Sequence, residues 1–230
     1  MNSAIIVAAG SGTRFGGEKP KQFLEILGKP VIVRTLERFE ACPQIDKIIL
    51  VLNAAEVVNF QKQIEKFNLR KLVKVIAGGK TRAESVWNGF DAIGGESAEI
   101  IAVHDGARPL VTSEEITKTI EKARETGAAC LVAAVTDTIK EVRGGKIART
   151  VDRKTLRRAL TPQCFQYSIL KRAFEENRLL EAATDESFLV EQIGVEISIV
   201  EGSARNIKIT HPEDLILAEN LLKRFKVQSK

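Results

Sequence analysis

A chain of 230 residues with 44% hydrophobic and 28% charged side chains can bury a full core and fits one large domain. Three cysteines, odd in number and widely spaced, exclude a disulfide framework and a CxxC metal pair, and two histidines are too few for a histidine-rich zinc site. The net charge of +5 is spread among interspersed acids, and ten Phe, one Trp and one Tyr offer little to stack on bases, so a small polyanion is expected as partner, not a nucleic acid.

The first strand-like run is Ser3 to Val7. It carries no basic region and no long apolar stretch, so neither a signal peptide nor a membrane anchor is expected, and the expected compartment is the cytoplasm. Directly after it come Ala8-Ala9-Gly10-Ser11-Gly12-Thr13-Arg14 and then Lys19-Pro20-Lys21-Gln22. Glycines let a turn bring bare N–H groups against phosphate oxygens, and Arg14 and Lys21 supply charge able to stabilise a transition state. The pattern predicts a nucleoside triphosphate site. A dinucleotide fingerprint is disfavoured by Phe15, which stands where its third glycine is required. Gly79-Lys80-Thr81 is no Walker site either, because Lys74 occupies the position of that motif's first glycine.

Further strands are predicted over Lys47–Leu52, Val73–Ile76, Ile100–Val103 and Ala128–Val135, with helical segments between them. Val31 to Ala41 places Ile32, Leu36 and Phe39 on one face, Glu56 to Phe67 aligns Phe60, Ile64 and Phe67, and Glu114 to Arg124 aligns Ile116 and Ile120. Thr112-Ser-Glu-Glu115 has the form of a capping box. This βα alternation predicts an α/β fold of three layers around a mostly parallel sheet. The rhythm breaks after Val135. Ile139 to Val142 and Ile147 to Val151 flank Gly144-Gly145 and read as a hairpin, expected to form a protruding β-arm at about 137–160 and to pair with a second copy of the chain. A strand over Glu196–Val200 and a helix over Pro212–Phe225 return to the main layer. With no internal repeat or linker, residues 1–230 are expected to form a single domain.

Ligands of an open α/β sheet gather at the carboxyl ends of its strands. Those positions here are the Ala9–Arg14 turn, Gly78-Gly79-Lys80-Thr81-Arg82, His104-Asp105-Gly106-Ala107-Arg108-Pro109 and Thr136-Asp137-Thr138. Asp105 is the best candidate for holding a hard cation such as Mg²⁺, which needs few carboxylates when phosphates supply other oxygens. Its alternative is to cap the following turn or pair with Arg108. His104 is expected to be a packed, hydrogen-bonded strand-end residue, and Lys208 to project opposite Ile207 and Ile209 toward a phosphate or into water.

Taken together, Ala8-Ala-Gly-Ser-Gly-Thr-Arg14, Pro20-Lys-Gln22, Arg82-Ala-Glu-Ser-Val86, Val103-His-Asp-Gly-Ala-Arg-Pro109, Asp137-Thr-Ile-Lys140, Val151-Asp-Arg153, Leu160-Thr-Pro-Gln163, Thr184-Asp185 and Asn206-Ile-Lys208 resemble the 2-C-methyl-D-erythritol 4-phosphate cytidylyltransferase family of the non-mevalonate isoprenoid pathway. The resemblance runs in order from residue 4 to about residue 219. It implies a nucleotide-diphosphosugar-transferase-like domain that dimerises through its arm, uses Mg²⁺ or another divalent cation, and joins CTP to the sugar-alcohol phosphate with release of pyrophosphate. On the nucleotide side it implies Ala8, Ala9, Gly10, Ser11, Gly12, Thr13 and Arg14 around the triphosphate, Ala9, Gly79 and Ser85 around the cytosine, and Lys21, Arg82 and Asp105 beside them. On the acceptor side it implies Arg108, Thr138, Arg153, Thr161 and Thr184, the last three from positions that a partner's arm can contribute. Arg14, Lys21 and Lys208 are the implied catalytic cations, and Asp105 the metal-side carboxylate.

Two departures, Gly106 and Cys164, touch no chemical role that the sequence shows. Ribitol 5-phosphate cytidylyltransferase shares several of these motifs and is the alternative within the class. A nucleotide-sensing dimer and an NAD-dependent dehydrogenase are the alternatives outside it, the latter disfavoured by Phe15. No fused cyclodiphosphate synthase domain is expected.

Overall fold

The computed structural model describes residues 1–10, 20–95, 98–176 and 183–228. In chain order these give β1 (Asn2–Ala8), a small hairpin of β2 (Glu25–Ile26) and β3 (Lys29–Pro30), α1 (Val31–Glu40), β4 (Lys47–Leu52), α2 (Ala54–Ile64), β5 (Leu72–Ala77), α3 (Arg82–Ile93), β6 (Ile100–Asp105), α4 (Ser113–Thr126) and β7 (Ala128–Ala134). There follow β8 (Ile139–Arg143), β9 (Lys146–Val151), β10 (Arg157–Gln166), α5 (Tyr167–Glu176), α6 (Glu186–Gln192), β11 (Ser198–Glu201) and α7 (Pro212–Gln228).

Seven strands form the central sheet in the order β11-β7-β10-β6-β1-β4-β5. All of its neighbouring pairs are parallel except those made by β10, which runs antiparallel to both β6 and β7. The central strands β1, β4 and β6 are buried along almost their whole length, which is why they read as continuous apolar runs. Successive side chains serve opposite layers. Ile6 and Leu50 pack with Leu36 and Phe39 of α1 in one cluster, whereas Ile5 and Val51 pack with Val86 and Phe90 of α3 in the other. Each fully buried side chain of this size contributes about 1.5–3 kcal/mol.

The helices begin where local chemistry favours it. Asn53, Thr81 and Asp185 accept backbone N–H bonds at the starts of α2, α3 and α6, and Thr112 and Glu115 form the anticipated capping box of α4. Ile32, Leu36 and Phe39 are fully buried, as the helical spacing requires.

Sequence periodicity does not reveal β10. It begins with Arg157-Arg158 and contains Pro162, yet Leu160 to Phe165 are buried between two strands. The register of β10 against β7 shifts between Ala159 and Gln163, and a proline without an N–H donor is accommodated at such an irregularity. Residues 157–160, anticipated as part of the arm, belong to this strand of the main sheet. The hairpin itself is present as a separate two-stranded sheet of β8 and β9, turned by Gly144 and Gly145 at φ of 55° and 74°. It exposes Val142 and Ile147.

Candidate active site

The carboxyl ends of β1, β5 and β6 meet along one edge of the sheet. Beyond β5, Gly78 N–H donates to the Leu52 carbonyl at 2.7 Å. A Cβ at Gly78 would lie 2.5 Å from the Ala9 Cβ and 2.7 Å from Ser85 Oγ, so only glycine lets these segments close on each other. Ser85 Oγ accepts from Gly79 N–H at 3.1 Å and donates to the Thr81 carbonyl at 2.8 Å. Ala9, Gly79 and Ser85, dispersed in sequence, therefore form one wall, with Ala8 and Gly10 beside it at the end of β1. Ser11, Gly12, Thr13 and Arg14 lie outside the described residues. Lys21 begins a short 3₁₀ turn to Phe23 that is tied to the same edge, because the buried Gln22 side chain donates to the Ala8 carbonyl at 2.9 Å.

Asp105, the last residue of β6, is the electrostatic centre. Its Oδ2 receives Arg108 Nε at 3.0 Å and Lys208 Nζ at 3.1 Å, while Oδ1 is met by Arg82 Nε at 3.4 Å and Nη2 at 3.5 Å. Burial would raise the Asp105 carboxyl; Arg82, Lys208 and Arg108 together hold it far below the ordinary carboxylate range. The anticipated Asp105–Arg108 pairing is thus present, joined by two further cations. Lys208 reaches Asp105 because Ile209 beside it is buried and its N–H donates to the Ala107 carbonyl at 2.9 Å.

Arg82 has a second partner, Glu186 Oε1, at 2.6 Å. Burial disfavours the Arg82 charge, but Glu186 and then Asp105 keep its pKa above the ordinary arginine value. For Glu186 burial dominates and pushes the carboxyl up, with Arg82 opposing. Arg108 also donates through Nη1 to the Asn206 carbonyl at 2.9 Å, and Asn206 Nδ2 donates to the Thr161 carbonyl at 2.8 Å. The Thr161 side chain is buried beneath this group. His104 is fully buried and neutral, its pKa lowered by burial to about 3, which fits the packed role anticipated for it.

The remaining acceptor-side candidates stand apart. Thr138 is exposed just before β8, Thr184 is exposed one residue before the cap of α6, and Arg153 is exposed and donates to the Thr136 carbonyl of its own chain. Gly106 acquires a steric reason, since a Cβ there would lie 2.8 Å from the Ala8 Cβ and 2.7 Å from Ile32 Cδ1. Cys42, Cys130 and Cys164 are free and buried.

Glu186 was invisible to motif reading, since an acid in the first turn of a helix usually serves only the helix dipole. Gln163 closes the Leu160-Thr-Pro-Gln163 motif, and the sequence shows no role for it. Its amide donates to Asp185 Oδ2 at 2.9 Å and accepts from Ser187 N–H at 3.0 Å, docking the start of α6 onto β10. Among the described residues no three His, Cys, Asp or Glu side chains cluster to hold a metal. A hard cation would have Asp105 as its protein oxygen and depend on ligand phosphates for the rest, a donor set that suits Mg²⁺.

A mostly parallel sheet with both faces covered, its edge lined by close-packed glycines and a buried carboxylate holding three cations, defines an α/β protein of the nucleotidyltransferase type. The chain belongs to the 2-C-methyl-D-erythritol 4-phosphate cytidylyltransferase (IspD) family, whose model matches residues 2–224. It is 43% identical over 221 residues to the 2-C-methyl-D-erythritol 4-phosphate cytidylyltransferase of Bacillus velezensis, covering 95% of this chain and 94% of the relative. The Geobacillus kaustophilus protein of the same name is 42% identical, covering 95% of this chain and 96% of the relative. Among solved structures, the 4-diphosphocytidyl-2C-methyl-D-erythritol synthase of Anaerococcus prevotii superposes with a TM-score of 0.83 at 29% identity, covering 97% of this chain and 96% of that one. The Thermus thermophilus cytidylyltransferase superposes at 0.76 and 31% identity, covering 97% of this chain and all of that one.

Proposed function

We propose that the chain transfers CMP from CTP to 2-C-methyl-D-erythritol 4-phosphate, giving 4-diphosphocytidyl-2-C-methyl-D-erythritol and pyrophosphate. Family membership over residues 2–224 supports the reaction and its substrates. The observation that carries the chemistry is the convergence of Arg82, Arg108 and Lys208 on Asp105.

Two anions must approach each other. A phosphate oxygen of the acceptor attacks the α-phosphorus, the new P–O bond forms as the bond to pyrophosphate breaks, and negative charge builds on the equatorial oxygens. Fixed cations lower the barrier by offsetting that charge without having to reorganise. Lys208, held at the edge by Asp105, and Lys21, anchored through Gln22, serve this role together with Arg14. Arg82 joins them on the nucleotide side, and Ala9, Gly79 and Ser85 enclose the cytosine. Arg108, Thr138, Arg153, Thr161 and Thr184 serve the acceptor, with Thr161 acting through the elements it holds together. The acceptor phosphate is already ionised at neutral pH, so no protein base is needed, in keeping with a neutral, buried His104. Mg²⁺, held by Asp105 and the triphosphate, would supply further charge neutralisation. The working form is a homodimer through the β8–β9 hairpin, whose exposed Val142 and Ile147 suit burial against a partner, and the compartment is the cytoplasm.

The test is pyrophosphate release on mixing CTP and Mg²⁺ with methylerythritol 4-phosphate or ribitol 5-phosphate. Release with the former and little with the latter is expected; the reverse preference, or none, overturns the assignment.

A further inference from the structure

Glu186 is the first residue of α6, and its side chain is 1% exposed. Its partner Arg82 is 104 residues away in sequence and stands in the first turn of α3. A cation there opposes the helix dipole, so helix energetics do not explain why Arg82 occupies that position. Two acids hold it, and unequally. Glu186 takes Nη1 at 2.6 Å, whereas Asp105 Oδ1 meets Nε and Nη2 only at 3.4 and 3.5 Å. The other Asp105 oxygen is closely engaged by Arg108 and Lys208.

The geometry points to Glu186 as a positioning residue for the nucleotide: it draws the Arg82 guanidinium off Asp105, keeping Arg82 partly exposed at the strand-end edge and Asp105 Oδ1 loosely held. Without the Glu186 charge, Asp105 is the nearest acid left to Arg82. The guanidinium then closes on Oδ1, and a cation and an oxygen that CTP and its metal would use neutralise each other. Glutamine keeps an acceptor atom but not the charge that competes with Asp105. Aspartate keeps the charge on a shorter stem.

This inference rests on the cytidylyltransferase reading, and the test separates the two. CTP KM and kcat are measured for the unaltered protein, Glu186→Gln, Glu186→Asp, Arg82→Ala and the Arg82→Ala/Glu186→Gln double variant. With Arg82 present, Glu186→Gln should raise the KM for CTP by about tenfold while kcat changes by less than about threefold. Glu186→Asp should recover part of that loss. In the Arg82→Ala background the glutamine change should add less than about twofold, because its effect acts through Arg82. An equal effect in both backgrounds, or an unchanged KM with Arg82 present, overturns the inference. If Glu186→Gln does not fold, the same comparison is made with Glu186→Asp, for which a KM raised only when Arg82 is present supports the role and an Arg82-independent one overturns it. Failure of the unaltered protein to release pyrophosphate from CTP and methylerythritol phosphate would instead remove the cytidylyltransferase reading.

Discussion

The Thr161 hydroxyl and His104 Nδ1 stand 2.9 Å apart in the interior, and the surrounding bonds fix the direction of the hydrogen between them. The Arg108 carbonyl can only accept, so Nε2 carries the hydrogen and donates to it at 3.1 Å; in the neutral ring Nδ1 is then the acceptor, and the Thr161 hydroxyl donates to it while accepting the Asp105 N–H at 3.2 Å. One neutral imidazole thereby ties β10 to the two ends of the loop carrying Asp105 and Arg108. This set of bonds requires an imidazole that stays uncharged, with Nδ1 free to accept.

Acid should therefore loosen the protein through His104. Its folded pKa is lowered to about 3, while an unfolded histidine titrates near 6.5, so between these values the unfolded chain binds the extra proton. The contribution is fully present above about pH 6.5 and is lost as pH falls toward 3, with a slope of about 1.4 kcal/mol per pH unit. Urea unfolding from pH 5 to 7 should show a shallower dependence in His104→Gln, by a fraction of a proton near pH 7 that grows to about one near pH 5. Equal slopes would contradict a buried neutral histidine.

Gly78→Ala tests the wall at the end of β5. The added methyl would stand 2.5 Å from the Ala9 Cβ, and neither backbone segment has a flexible side chain to yield. A loss of about 1–3 kcal/mol in stability is expected, with a several-fold higher KM for CTP. A variant with unchanged melting temperature and KM would show that the two loops do not touch.

Asp105→Asn should raise the midpoint of Mg²⁺ activation several-fold, since the amide keeps an oxygen but loses the charge that attracts a hard cation. It also removes the anion that holds Lys208 and Arg108, so kcat should fall at saturating Mg²⁺ as well. An unaltered titration midpoint would leave Asp105 as an organiser of cations with no part in holding the metal.

Arg153 probes whether the hairpin completes a neighbouring site. Within one chain it bonds the Thr136 carbonyl. If it serves the partner's acceptor pocket, Arg153→Ala should weaken use of methylerythritol phosphate with little change in CTP binding. Mixing Arg153→Ala with Lys21→Ala subunits should then restore partial activity, because one site of the mixed dimer keeps both residues. Subunit exchange without recovery would confine the hairpin to a structural role.

Much of the fold was legible because it is written locally. Continuous apolar runs mark the parallel strands, and Thr112 with Glu115 marks a helix start. β10 was not, because its two arginines interrupt the apolar pattern, Pro162 contradicts strand propensity, and only the long-range pairing with β6 and β7 overrides them. Asp105 and Lys208 were legible as candidates from position, since a strand end and an alternating segment each direct one side chain to the edge where ligands gather. Their contact was not, and neither was Glu186, whose partner is fixed only when α6 docks through Gln163 onto β10.

The fate of the acceptor's phosphate can be followed directly. With ¹⁸O in the non-bridging oxygens of methylerythritol 4-phosphate, all of the label should appear in the cytidine diphosphate product and none in pyrophosphate, as read by mass spectrometry. That is the result required if the acceptor's own phosphate displaces pyrophosphate from the α-phosphorus. Label in the pyrophosphate, or a cytidine product without it, would contradict CMP transfer to the acceptor phosphate.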